Sequence, residues 1–470
     1  MRNRGFAQTR RPFGAGFSAG HLTMPLAIAS LALVATVTAV GTSTDRLPLL
    51  LVGLLLLLGL AVAVVNPTIL LYGYCAAIPL NDLLPPGPAG TIGRIAGLVF
   101  FVGYLVRSPN SLRPGTIPIV GWLYVGWALA STLWAVDNDT SFDAWLSLAQ
   151  LFAITVLIAS ILATNPQAGR RAAVAYLITA SVTAVVAIAP VVQGSEAYLS
   201  RAAAFGDQNP AGFASLLVPV VILLMGEVQS RGASRAVRGL ASAALVICIV
   251  AVGLSGTRSA WLGIAVATMV WVGLRRERRQ VAAVASAAIG LVVLFVLVPG
   301  ASDFLLERTG TSVASGGSGR TDIWEVGLKI YASAPVLGVG FGNFPLAFTP
   351  NVIAQVAGAN VGGAGRDPHS VLLGALAETG FIGAVLLILF VGITLLRVDT
   401  DGFGAMIRAA LIGLIVESFF LETLTRKHVW LFLAIALGLA AARRLERARD
   451  EDAAAGRLAI DSPSRPLSAR

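Results

Sequence analysis

The stretch GRDPHSVLLGALAETGFIGAVLLILF, residues 365–390, opens on charged and polar residues and then turns apolar, with no charge between Glu378 and Arg397. A run of about 20 apolar residues is what crossing a ~30 Å hydrocarbon core requires at 1.5 Å rise per residue. The same pattern recurs from Met24 almost to Ala442, broken by short polar links. The chain has 470 residues, 56% of them hydrophobic and 12% charged, with mean hydropathy +0.81, so nothing in that range makes a water-soluble core. The fold class is therefore all-α, a polytopic transmembrane bundle of about 12–14 helices.

Candidate spans fall at 24–40, 47–65, 68–80, 94–106, 117–136, 142–163, 172–192, 210–225, 239–254, 260–274, 281–298, 371–395, 403–420 and 429–442. The chain divides accordingly into a basic tail (1–23), a first helix array (24–298), a long loop (299–367), a second set of helices (368–442) and a tail (443–470) whose charged composition predicts disorder. Charge sets the orientation. With the arginine-rich start inside, RSPNSLRPG, NPQAGRR, SRGASRAVR, RRERR and LRVDTDG all fall on the cytoplasmic side, as does RRLERARDED after Ala442. An even number of helices with both termini cytoplasmic satisfies every one of these clusters. The twin arginines Arg10-Arg11 lie in a basic cytoplasmic tail on this reading, not in a cleaved export signal.

The formal charge of +10 is spread over short links and tails, which retention of positive loops explains and which excludes nucleic acid as a partner. Cys75 and Cys248 sit in apolar segments without metal-type spacing and read as packing residues. VLGVGFGNFP is rich in glycine, but no βαβ unit surrounds it, so it reads as a turn on the membrane surface and not as a nucleotide loop.

Four segments carry arginine or histidine to the outer face: LSRAAAFGDQNPAG with Arg201 and Asn209, LSGTRSAW with Arg258, SGRTDIWE with Arg320, and the stretch containing His369. Guanidinium groups at one depth suit a diphosphate, whose oxygens match their planar forks. Singly, each is as well suited to capping helix carbonyls or pairing with a lipid headgroup. The 299–367 loop is the only sizeable piece outside the membrane, and a loop that long is usually functional. Its part GRTDIWEVGLKIYASAP predicts an amphipathic helix on the outer leaflet, with Ile323, Trp324, Gly327 and Tyr331 on one face.

His369 is one of three histidines. Asp367 is a good N-cap and Pro368 a good first helical residue, which puts His369 in the first helical turn, where the dipole keeps an imidazole neutral and competent as a general base. The bland alternative is an amphipathic side chain at the lipid–water boundary. Glu378, about 13 Å deeper at helical rise, is a costly buried carboxylate with a pairing or functional role.

GDQNPAG after Arg201, SGTRSAW, GRTDIWEVGLKIYASAPVLGVGFGNFP and above all PHSVLLGALAETGFIG resemble, in order and over about Leu199 to Leu386, the O-antigen ligase and O-antigen polymerase superfamily of membrane glycosyltransferases. Where that family usually shows His-Asn, this chain has His369-Ser370. The resemblance implies transfer of a glycan from an undecaprenyl-diphosphate carrier to a hydroxyl acceptor on a polysaccharide, lipid or protein, at the outer side of the cytoplasmic membrane. It implies no cofactor and no metal. It makes Arg201, Arg258 and Arg320 diphosphate ligands and His369 the base or the residue that positions the acceptor; beside them, Asn209 and Glu378 are candidate supporting residues. The rival reading is a transporter or flippase for a lipid-linked or anionic substrate, which would place ionisable groups near the midplane on broken helices.

Overall fold

The computed structural model describes residues 66–83, 91–192, 202–205, 208–230, 232–275, 320–349, 365–400 and 402–461. The spans expected at 24–40, 47–65 and 281–298, the basic tail, and the part of the long loop before Arg320 lie outside them. The described residues are helical and contain no strand. In chain order the α-helices are α1 (Pro67–Ala77), α2 (Ile92–Arg107), α3 (Ile119–Ala130), α4 (Asn138–Thr164), α5 (Pro166–Val192), α6 (Pro210–Val228), α7 (Arg235–Leu254), α8 (Arg258–Arg275), α9 (Arg320–Ser333), α10 (Phe344–Ala347), α11 (Val371–Arg397), α12 (Gly402–Ser418) and α13 (Lys427–Asp461). Six of these, α4 to α7, α11 and α13, are long and apolar enough to cross a membrane.

Local chemistry sets the boundaries. Asp137 caps α4 by accepting from the Thr140 N–H at 2.7 Å, which also holds its carboxyl below the usual carboxylate range. That helix stops at Asn165 because the following Pro166 disfavours helical backbone there, and the proline then opens α5. α6 starts behind Asn209, whose side chain accepts from the Ala211 N–H at 2.9 Å, with Pro210 in the first position. α13 continues to Asp461, well past the Ala442 end read from hydropathy, so 443–461 is helical where composition predicts disorder. Its charges from Arg443 to Asp452 are exposed, and a run rich in Ala, Arg, Leu and Glu sustains a helix without a core.

α6 is the centre of the bundle, buried from Ala211 to Gly226 and packed on α5, α7, α8 and α12. α4 lies along α13, and α3 along α11. α7 is mostly uncovered and turns Leu240 and Val246 outward, as a lipid-facing helix does. Cys75 and Cys248 are free and buried, in keeping with packing roles.

The basic links gather at one end. Arg170 of α5 pairs with Glu227 of α6 at 2.7 Å, and Arg443 of α13 pairs with Asp399 beyond α11. The Arg113 N–H donates to Ser160 near the end of α4 at 2.8 Å.

α11 is not continuous. Gly380 stands at φ 66°, ψ −170° and divides it. The amphipathic helix appears as α9, but it does not lie on a lipid leaflet: Ile323, Val326, Gly327 and Ile330 pack against α11 and α10, in a small core with Phe344, Phe348 and Ala377. Trp324 and Tyr331, assigned above to the buried face, are only half-buried. The protein covers that face because the loop after α9 is tied into the break of α11.

Candidate functional site

At the end of the bundle opposite the basic links, the starts of α6, α8 and α11 converge with the link between α12 and α13. The Thr257 hydroxyl, just before Arg258, donates to the Pro210 carbonyl at 3.5 Å. Arg426 lies flat on the first turn of α6: a Cβ on Gly212 would stand 2.7 Å from its Nη1 and 3.0 Å from Cζ and Nη2. Glu422, in the same link, reaches the first turn of α11. Its Oε2 would be 3.4 Å from a Cβ on Gly374, with Pro368 Cγ at 3.0 Å from the same point.

His369 is not in a helical turn. The N-cap of α11 is Ser370, whose hydroxyl accepts from the Leu373 N–H at 3.4 Å, and Asp367 and Pro368 precede the helix outside any regular element. His369 has φ 48°, alone among the described non-glycine residues in being left-handed. Asp367 loses the capping role because only a residue directly before the helix can reach its first free N–H groups, and Pro368 is three residues too early to begin it.

The charges around His369 show what the structure brings together. Its half-buried imidazole is held below the ordinary histidine value, first by burial and then by the positive charge of Arg320; Asp367 opposes this and Arg366 adds to it. Arg320 is in turn lowered by burial and by Arg258. Arg258, Arg320 and His369 thus form one electrostatic group, with the exposed Arg258 at the first position of α8 and Arg320 at the first of α9. Arg201 lies outside the described residues. Asn209 spends its side-chain oxygen as the cap of α6.

Glu378 takes the pairing role. One carboxylate oxygen accepts from the Phe344 N–H at 3.2 Å, and the Gly342 N–H also bonds the carboxylate. Around it, the loop 335–341 replaces the bonds that the break in α11 removes: Val339 N–H donates to Ala377 O and Gly340 N–H to Glu378 O, both at 2.9 Å, while Phe381 N–H donates to Pro335 O at 2.9 Å. The Trp127 indole donates to Thr379 O at 2.9 Å and that of Trp134 to Leu337 O at 3.2 Å. Backbone freed inside a membrane protein must find such partners. The approach is so close that a Cβ on Gly338 would strike the Glu378 carbonyl, and one on Gly380 the Val336 carbonyl. VLGVGFGNFP is therefore a plug in a broken helix, not a turn on the membrane surface. Asn343 staples its far side to Asp137, accepting from the Asp137 N–H at 2.8 Å.

Sequence reasoning missed LETLTRKH, residues 421–428. It puts Arg426, Lys427 and His428 in a link on the same side as His369, one more exception to the positive-inside trend, and that signal was open to the charge count. Lys427 donates to Asn81 Oδ1 at 2.7 Å, Asn81 to Asp82 Oδ1 at 2.7 Å, and Gln208 to Asp82 Oδ2 at 3.1 Å. This chain ties the start of α13 to the segment before α6. His428 bonds Ser215 at 2.9 Å inside the bundle.

Residues 243–388 match a family model described as O-antigen ligase. This bears out the resemblance to the O-antigen ligase and polymerase superfamily, and the matched range contains Arg258, Arg320, His369 and Glu378 but neither Arg201 nor Asn209. No curated protein matches the chain.

Proposed function

Starting from the O-antigen ligase family domain at residues 243–388 of this multi-pass membrane protein, we propose that the chain is a glycosyltransferase acting on a lipid-linked glycan. The donor is an undecaprenyl-diphosphate glycan and the acceptor a hydroxyl of a polysaccharide, lipid or protein. The observation that carries this reading is the grouping of Arg258, Arg320 and His369 at one end of the bundle. A cationic edge suits a diphosphate, and a neutral imidazole suits the removal of a hydroxyl proton.

In the reaction, the acceptor oxygen attacks the anomeric carbon, the bond from that carbon to the diphosphate oxygen breaks, and His369 takes the hydroxyl proton. Arg258 and Arg320, joined by Arg201, stabilise the charge that grows on the departing diphosphate. A single displacement inverts the anomeric centre. The basic links lie at the opposite end, which supports placing that end in the cytoplasm, with both termini, and the site on the outer face of the cytoplasmic membrane.

A broken helix with a carboxylate at the break is the one feature that favours a transporter. In a transporter the freed carbonyls would line a path for ions. Here those of Ala377, Glu378 and Thr379 are each taken by a protein N–H. The experiment is to reconstitute the purified protein in vesicles with an undecaprenyl-diphosphate glycan and an acceptor. Release of undecaprenyl diphosphate with a new glycosidic bond supports the enzyme, and growth of the lipid-linked chain against conjugation to a separate acceptor tells polymerase from ligase. Passage of uncleaved donor between leaflets, without bond formation, would support the transporter.

A further inference from the structure

We infer that Glu422 is a positioning residue which, with Gly374, clamps Pro368 and so holds His369 in its left-handed conformation beside Arg320; the consequence for transfer rests on the function proposed above. A left-handed non-glycine residue costs free energy and persists only where its surroundings over-determine it. On one side of His369 the constraint is visible, since Ser370 is fixed as the cap of α11. On the other side stands Pro368, buried and with its own φ locked by the ring.

The proline ring sits in a notch that exists because residue 374 has no side chain. On this inference the Glu422 carboxyl is the other wall of that notch: its Oε2 lies 3.4 Å from the point a Cβ of residue 374 would occupy, and Pro368 Cγ lies 3.0 Å from the same point. It is itself fixed, because Oε1 accepts from the Leu424 N–H at 3.0 Å. Its Oε2 accepts no hydrogen bond among the described residues and is turned toward Gly374. The carboxyl is pushed up to about 8, first by burial and then by Glu378, with the Leu424 hydrogen bond and Arg426 opposing and Asp367 adding, which favours an uncharged group facing the notch. With that wall gone the ring slides, the turn relaxes, and the imidazole leaves the field of Arg320.

The prediction is read on the full chain in nanodiscs, from the ¹⁵N imidazole signals of its three histidines, with His369 assigned by its loss in His369→Gln. The charged groups that act on this ring are Arg320 from α9 and Asp367 and Arg366 from its own turn, and none of them is altered. In the wild type His369 titrates below 6.5. In Glu422→Ala and Gly374→Ala its titration moves up toward 6.5, because the ring moves away from Arg320. In Glu422→Gln, which keeps the shape of the wall, the movement is smaller. In the transfer assay, kcat for the alanine variants falls about ten- to a hundredfold while KM for the donor changes by less than about twofold, as for a displaced reacting group. An unmoved His369 titration in whichever alanine variant gives folded protein overturns the clamp. A moved titration in a protein whose wild type transfers no glycan upholds the clamp and counts against the proposed function.

Discussion

Arg258 opens α8 at the edge of the candidate site, and lysine in its place keeps the charge but not the fork. If the residue grips a diphosphate, Arg258→Lys lowers transfer by at least about tenfold at unchanged expression; near-full activity returns Arg258 to a structural role. His369 supplies a pH test. Burial and Arg320 favour its neutral form, so the acid limb of the transfer profile lies below pH 6.5, and activity is lost only as the pH falls through that lowered value. Arg320→Gln removes one lowering cause and moves the limb upward; a limb that stays in place would show that another group titrates there. At this scale the sequence identified the chemistry but not the local geometry. Asp367 and Ser370 are both capping residues within four positions, and which of them caps depends on where Pro368 finds a seat, which is set by Gly374 and Glu422. Ser370 caps α11, a position that asparagine also suits, since both side chains can accept from an early N–H.

The plugged break in α11 makes its own prediction. Gly380→Ala forces φ 66° on a residue with a Cβ and drives that Cβ into the Val336 carbonyl. The strain alone is about 1–3 kcal/mol, and the collision adds to it. Thermal unfolding in detergent should show a clear loss for Gly380→Ala, whereas Gly126→Ala in α3, where a Cβ meets nothing within 4 Å, stays within about 1 kcal/mol of wild type. Equal stability of the two variants would contradict the plug. The apolar run from Phe381 to Leu396 was legible because spanning segments announce themselves by length. The break was not, since one glycine leaves the hydropathy pattern intact and its partners, Pro335 to Gly340, lie some forty residues earlier. For the same reason α9 read as a lipid-surface helix. An apolar stripe shows that a face is covered, not whether lipid or protein covers it.

At the scale of the whole molecule, the described basic links collect at one end and Arg258, Arg320 and His369 at the other, an arrangement legible from charge alone because retention of positive loops acts on composition. What brings LETLTRKH against GDQNPAG and PHS was not legible. Those contacts depend on Gly212 and Gly374 leaving room for Arg426, Glu422 and Pro368, and pairing between distant segments leaves no local trace. Orientation is testable directly. Cys75 and Cys248 are buried and give little background, so single cysteines in the 299–367 loop should react with an impermeant thiol reagent on intact cells, and cysteines in RRERRQ should not. The reverse pattern would put the site on the wrong side for a lipid-linked donor. The most direct test of the central claim is His369→Ala in reconstituted membranes at saturating undecaprenyl-diphosphate glycan. The account predicts that donor binding persists, because the arginines remain, while release of undecaprenyl diphosphate to the acceptor falls by about 10²–10⁴. Transfer at the wild-type rate would contradict it and leave His369 a residue of the membrane boundary.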